Sequence, residues 1–383
     1  MDFAFTEEQT MILESAEQFF SRVSDSDAIR GAMATPQGYD ENTWKTLCKE
    51  LYFQAVMVPE EHGGLGLGYV ELAIIMEQMG RFLVCSPYFS TVCLVNTVLL
   101  LAASPAQQET YFEKIIAGET AALAWASNGA ADLRAVEARY TQTAAGYQLD
   151  GEYCHVIDGH TADFLVLAAR EQTSGEIALF VAPSDAQGIE RTWAPTVDQT
   201  RKQATVTCNQ LILPKDACLS VSADDVLVSV LAIAAIVLSA EQMGGAQQLL
   251  DMTVAYTKER VQFNRAIASF QAVKHQAADM MTRVEASRSG VYYAACIAQD
   301  FLVKEPLAHE LLEAASISKA YSSHAYFRNA SDAIQLHGGV GFTWEYDVHL
   351  YFKRAKASEH MFGDAAFHYE QLAKHVLEKP ACV

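Results

Sequence analysis

The 383-residue sequence contains no C-x-x-C pair, although it carries eight cysteines. Cys48, Cys85, Cys93, Cys154, Cys208, Cys218, Cys296 and Cys382 are scattered without metal-ligand spacing, so no metal site is expected. They suit reduced core thiols in a cytoplasmic protein. Positive charge is scarce: 27 Lys and Arg against 47 Asp and Glu leave a net charge of -20. Nucleic acid needs a basic surface, so that partner is not expected. A phosphorylated ligand needs only a few local cations and stays open. The opening residues, MDFAFTEEQT, lack the basic-then-apolar order of a secretory signal. The longest apolar run, residues 226–240, is short for a bilayer and is followed by Glu241, so a buried helix is expected there and no membrane insertion.

What is present is ordinary globular composition, 51% apolar and 19% charged, in a chain long enough for two or three domains. Residues 1–118 read as helical. TEEQTMILESAEQFFSRV opens on Thr6 with Glu7, Glu8 and Gln9 in the first turn, a helix-start pattern. Residues 119–222 change character: GYQLDGEYCHVIDG, DFLVLAAR, IALFVAP and ATVTCNQLIL are short β-rich runs between Gly, Pro, Asp and Asn. Residues 223–383 return to helical periodicity in segments long enough for a bundle. The order is α, then β, then α.

Three stretches hold candidate chemistry. KERVQFNRAIASFQAVKH offers Arg260, Gln262 and Phe263, with a guanidinium fork suited to a diphosphate. AIQLHGGVGFTWEYDVHLYFKRAK offers Gln335, Gly338 and Gly339, where bare backbone lets a ligand approach closely. RAKASEHMFGDAAFHYEQLA places Glu359, His360 and Asp364 close together; on one helix His360 and Asp364 would share a face and could pair.

Taken together, VPEEHGGLGLGYVELAIIMEQMGR, ERVQFNRAIASFQAVKHQAADM and QLHGGVGFTWEYDVHLYFKRAK resemble the acyl-CoA dehydrogenase family in order and spacing, across almost the whole chain. The resemblance implies a helical N-terminal domain, a middle β-barrel or sandwich domain and a C-terminal four-helix bundle, assembled as a dimer or tetramer. It also implies FAD as cofactor, an acyl-CoA thioester as substrate and an electron-transfer flavoprotein as electron acceptor. In the family, a base removes the α-proton while the β-hydride passes to the flavin.

Carried over position by position, the family's roles divide. Arg260, Gln262, Phe263, Gln335, Gly338 and Gly339 match the elements that, in the family, reach the FAD diphosphate and adenosine of the neighbouring subunit. The elements serving the same subunit's flavin are eroded: Ala126, Ser127 and Asn128 stand in place of Thr-Glu-Pro, and His155, Val156, Ile157 and Asp158 in place of Trp-Ile-Thr-Asn. Ser127 could bond a flavin oxygen or only its own backbone; His155 could stack or be a loop residue; Ile157 has no side-chain donor. The family's usual glutamate position, six residues after Ala355-Lys356, is Phe362. The alternative base position, ten residues before Gly244, is Ala234. Asp364 is the first candidate base and Glu241 the second, unless the chain supplies none.

Two readings follow. One is an active FAD-dependent dehydrogenase that desaturates an acyl-CoA between its α and β carbons. The other is a non-catalytic or FAD-sharing subunit of a heteromer, of the kind that acts on bulky steroid side-chain thioesters. An oxygen-using relative on the same fold is a third. The small residues of AAIVLSAEQMGG fit either a bulky acyl group or close helix packing.

Overall fold

A computed structural model describes residues 4–220, 222–303 and 308–378. In chain order the first helices are α1 (Glu7–Val23), α2 (Ser26–Ala34), α3 (Glu41–Thr46), α4 (Tyr69–Arg81), α5 (Asn96–Ala102) and α6 (Pro105–Ile116). Eight strands follow: β1 (Ala121–Ala124), β2 (Arg139–Gln142), β3 (Gly146–Ile157), β4 (Phe164–Glu171), β5 (Ile177–Pro183), β6 (Ile189–Ala194), β7 (Gln203–Pro214) and β8 (Cys218–Ser220). The C-terminal part contains α7 (Asp224–Glu259), the two-residue strands β9 (Val261–Gln262) and β10 (Arg265–Ala266), then α8 (Gln271–Val303), α9 (Ala308–His337), α10 (Val348–His360) and α11 (Ala365–Glu378). Two compact units result. One comprises Met1–Arg30, Tyr69–Val84 and Ala235–Val383; the other comprises Gly31–Gly68 and Cys85–Ala234.

The second unit is built on one sheet in the order β6-β7-β3-β2-β4-β5-β8, with β1 pairing parallel to β4. β1 takes one edge of β4 at Phe164–Leu167, and β2 takes it further on at Arg170 and Glu171. Alternate residues point to one apolar face, where Leu165, Leu167 and Ala169 meet Ala178, Phe180 and Ala182 from the neighbouring strand. The aromatic rings of Tyr140, Tyr147 and Phe180 close the end of that core, with centroids 5.0 to 5.9 Å apart.

In the first unit, α1 begins as its sequence implies. The Gln9 amide donates to Thr6 Oγ1 and the Thr6 amide to Gln9 Oε1, both at 3.1 Å, which completes a capping box. The apolar run of α7 is a core element: 89% of its most hydrophobic window is buried, although its length and composition alone would suit a membrane span. Its small residues serve close packing. A Cβ on Gly244 would lie 1.8 Å from the carbonyl oxygen of Glu77 on α4, and one on Gly80 of α4 would lie 2.0 Å from the carbonyl of Glu241. Each helix therefore presents a glycine to the other's backbone. Gly244→Ala gains about 1 kcal/mol of helix propensity, but the contact is with main chain, which cannot swing aside. The expected result is a net loss of about 3 kcal/mol, the upper end for overpacking, read as a lowered urea midpoint.

After α9, the helical chain is divided in two, and both α10 and α11 pack on α9. The division falls at Met361–Asp364, where Phe362 and Gly363 take left-handed φ values of 56° and 100°. A residue with φ of that sign ends a right-handed helix.

Candidate active site

The turn between α10 and α11 holds the position at which the family resemblance puts the base. His360 and Asp364 do not pair, because α10 ends at His360 and the two residues lie on different elements. Asp364 instead caps α11: its Oδ1 accepts the amide of Phe367 at 2.8 Å. Phe362 is 9% exposed. The carbonyls of the turn are held from below by two side chains that the sequence reading did not single out. Lys319 on α9 donates to the carbonyls of Glu359 (3.1 Å) and Gly363 (2.9 Å), and to Ser323 Oγ (2.8 Å). Burial lowers its pKa to about 7 against the opposing pull of Glu359 and Asp364. His368 on α11 lies with Nε2 3.0 Å from the Phe362 carbonyl and Nδ1 3.2 Å from Ser316 Oγ. Burial first, and then the Lys319 charge, press its pKa down to about 4, so the neutral ring donates from Nε2 and accepts from the serine. A lysine among the small residues of AASISKAYSS was the available signal for this network.

Glu241, the second candidate base, forms an ion pair with Arg354, Nη1 to Oε1 at 2.7 Å, with both side chains only 2% exposed. The neighbouring Gln242 donates to Ser323 and Ser358, each at 3.1 Å, which ties α7, α9 and α10 together. This carboxylate is a packing group in the middle of the bundle.

The cofactor-type residues of this unit come together elsewhere, and they face solvent. β9 and β10 form a hairpin whose turn residues, Phe263 and Asn264, have φ of 54° and 62°, the primed-turn geometry that suits paired strands. Arg260 and Gln262 are exposed and Phe263 is 85% exposed. Arg265 lies over the Phe270 ring at 4.0 Å and steadies the arm. Gln335, Gly338 and Gly339 are exposed at the end of α9, and among the described residues nothing lies within 4 Å of where a Cβ on either glycine would be. Tyr256 joins the two elements. Its carbonyl accepts the Arg260 amide at 2.8 Å, its ring stacks on His337 at 4.3 Å, and its hydroxyl donates to the His337 carbonyl at 3.3 Å. His337 is in turn fixed by Nδ1 at 2.7 Å from the Ala333 carbonyl. Tyr256 and His337 were not foreseen, since each reads alone as an amphipathic helix residue.

The other unit carries Ser127, His155 and Ile157. Ser127 donates its amide to the Ala135 carbonyl at 2.8 Å, while its hydroxyl is buried without a partner among the described residues. Its side chain is therefore not occupied by local backbone bonds. His155 is exposed, with φ of 56°, and Nδ1 sits 2.9 Å from Gln203 Oε1. Ile157 is buried in β3 beside Asp158, whose Oδ2 accepts from Ser90 at 2.8 Å. The open glycine backbone and exposed Arg260 fit a diphosphate-bearing cofactor such as FAD, and the unpartnered Ser127 hydroxyl fits a ring oxygen. Ile157 offers no side-chain hydrogen bond to a ring nitrogen.

Residues 6–119 match the family described as Acyl-CoA dehydrogenase, N-terminal domain, and residues 225–377 match Acyl-CoA dehydrogenase, C-terminal domain. The acyl-CoA dehydrogenase IpdE2 of Mycobacterium tuberculosis is 34% identical over 341 residues, covering 89% of this chain and 88% of that protein. The chain belongs to the acyl-CoA dehydrogenase family. This acyl-CoA dehydrogenase, a member of a family of oxidoreductases, is also similar to the structure of the ChsE4-ChsE5 complex from Mycobacterium tuberculosis, with 25% identity and a TM-score of 0.89 over the whole of both chains. A steroid ACAD, Tcur3481-Tcur3483, is 26% identical with a TM-score of 0.86, covering 97% of this chain and 98% of that one.

Proposed function

We propose that this acyl-CoA dehydrogenase is the flavin-sharing subunit of a heteromer, giving its hairpin and glycine loop to a site completed by a second, related chain that carries the base. The observation that carries this reading is the state of the base position. A buried phenylalanine occupies it in a left-handed turn, while Asp364 caps a helix and Glu241 pairs with Arg354. Arg260 provides a planar fork for a diphosphate, and Gln335 with the bare Gly338–Gly339 backbone provides room and polar contact beside it. In the assembled enzyme, bound FAD supplies the two-electron acceptor for α,β-desaturation of an acyl-CoA thioester, with an electron-transfer flavoprotein taking the electrons onward. A bulky, steroid-like acyl group is the substrate class, a reading supported by likeness to a complex of two named chains and to a steroid ACAD. We place the assembly in the cytoplasm.

One observation favours a second reading, a homomeric enzyme with its own flavin and Asp364 as base: the buried Ser127 hydroxyl has no partner among the described residues. The test purifies the chain alone and together with a related acyl-CoA dehydrogenase chain from the same genome, and measures flavin absorbance against protein. The shared-site reading expects flavin only in the mixed assembly, its loss there on Arg260→Ala, and undiminished substrate bleaching with Asp364→Asn. Stoichiometric flavin in the isolated chain, with bleaching abolished by Asp364→Asn, would establish the homomer instead.

A further inference from the structure

At the start of α10, a basic cluster surrounds an exposed tryptophan. Trp344 is 64% exposed. The guanidinium carbon of Arg30 lies 5.3 Å from its ring centre, Lys353 Nζ lies at 5.0 Å, and the ring of His349 meets its edge at 4.8 Å. In a chain of net charge -20, this is a local positive island.

Two nitrogens in the cluster are buried and have no hydrogen-bond partner among the described residues: Arg30 Nη1 and His349 Nε2. His349 is only 6% exposed. A buried nitrogen without a partner is uncommon, because it forgoes the hydrogen bond it would make in water. The helix start adds to this. Asp347 occupies the N-cap, but its side chain does not cap; it accepts from Arg30 Nη2 at 2.5 Å and from Ser26 Oγ at 2.8 Å. The first-turn amides of a helix lack partners within the helix and carry the positive end of its dipole. Asp347 neutralises part of the Arg30 charge, which leaves Lys353 and the α10 dipole as the uncompensated positive elements.

We propose that this cluster is a phosphate-binding site, in which Arg30 Nη1, His349 Nε2 and Lys353 hold a phosphate group at the N-terminus of α10 beside Trp344. The group is supplied either by a free phosphate or by a nucleotide. Phosphate offers several acceptor oxygens to these donors, and a helix N-terminus is a general anion site. The cluster shares no residue with the Arg260 hairpin, although Tyr346 beside it packs on Tyr256 and His337.

Inorganic pyrophosphate titrated into the full-length chain at constant ionic strength, followed by calorimetry and by tryptophan emission, tests the assignment. Saturable binding is expected, weakened at least about tenfold, or 1.4 kcal/mol, by Lys353→Gln and lost in His349→Ala. Binding should survive in Arg260→Ala, which separates this site from the flavin-sharing arm. Titration with ADP distinguishes the two sources: affinity equal to that for pyrophosphate indicates a bare phosphate, and tighter binding indicates a nucleotide. Trp344→Phe should remove the emission change but leave the heat signal. Binding that vanishes with added chloride, or that is unchanged in both Lys353→Gln and His349→Ala, would overturn the proposal as an adventitious ion only, as would loss of binding in Arg260→Ala alone.

Discussion

Glu241→Ala will lower the stability of this chain by about 3–5 kcal/mol, because it leaves the Arg354 guanidinium charged in the centre of the bundle. The pair is 2.7 Å apart and both partners are all but sealed from solvent. Arg354 cannot lose its proton at working pH to escape the penalty. The damage comes from the isolated charge, so removing both charges should be far milder. Glu241→Leu combined with Arg354→Met should come within about 1–2 kcal/mol of the starting protein, or exceed it, since replacing a buried ion pair by apolar groups is often neutral or favourable. Urea midpoints of the two single variants and the double variant close the cycle. A Glu241→Ala variant of near-normal stability would show that the carboxylate is not committed to Arg354, and would return it to consideration as a base.

The second large effect is a pH dependence set by Lys319. An ordinary lysine keeps its proton to about pH 10.5, whereas this one, desolvated beneath the Met361–Asp364 turn, releases it near pH 7. Between those values the unfolded chain binds more protons than the folded one, so the contribution of Lys319 makes stability rise as pH increases from about 7 to 10.5. Below pH 7 both states hold the proton, and the cost of burying the charge is fully present and constant. The rise is of order several kcal/mol at most, at about 1.4 kcal/mol per pH step. Lys319→Met should abolish the rise. It should also cost about 2–3 kcal/mol at pH 9, where the neutral amine keeps two N–H groups, because two of the three acceptors, the Glu359 and Gly363 carbonyls and the Ser323 hydroxyl, then lose a donor. Denaturant titrations from pH 6 to pH 10 at fixed ionic strength decide the point. A wild-type curve with no rise in that window, or one that Lys319→Met leaves unchanged, would refute the role.

Legibility in the sequence tracked the range of the interactions involved. Thr6, Gln9 and the first helix were readable because a capping box is written in consecutive residues. The α–β–α order was readable because the periodicity changes twice along the chain. Phe362 at the family's base position was readable through the resemblance. The partner of Glu241 was not, since Arg354 follows 113 residues later and only the packing of α7 on α10 joins them. Nor was the end of α10: the resemblance supplied a position for the base, but the left-handed pair Phe362-Gly363 is a property of the backbone turn, and Phe362 does not look like a left-handed residue. AAIVLSAEQMGG is ambiguous as sequence because a small residue makes room without saying for what; here the helix backbone of α4 takes the space at Gly244.

The hairpin beyond α7 bends through two residues that are not glycine, and both hold positive φ. That handedness sets the twist with which the two strands leave the turn. It also makes the tip intolerant of drift, since a β-branched residue at Phe263 or Asn264 would oppose the turn. A short surface loop thus constrains its own sequence through the handedness of its backbone.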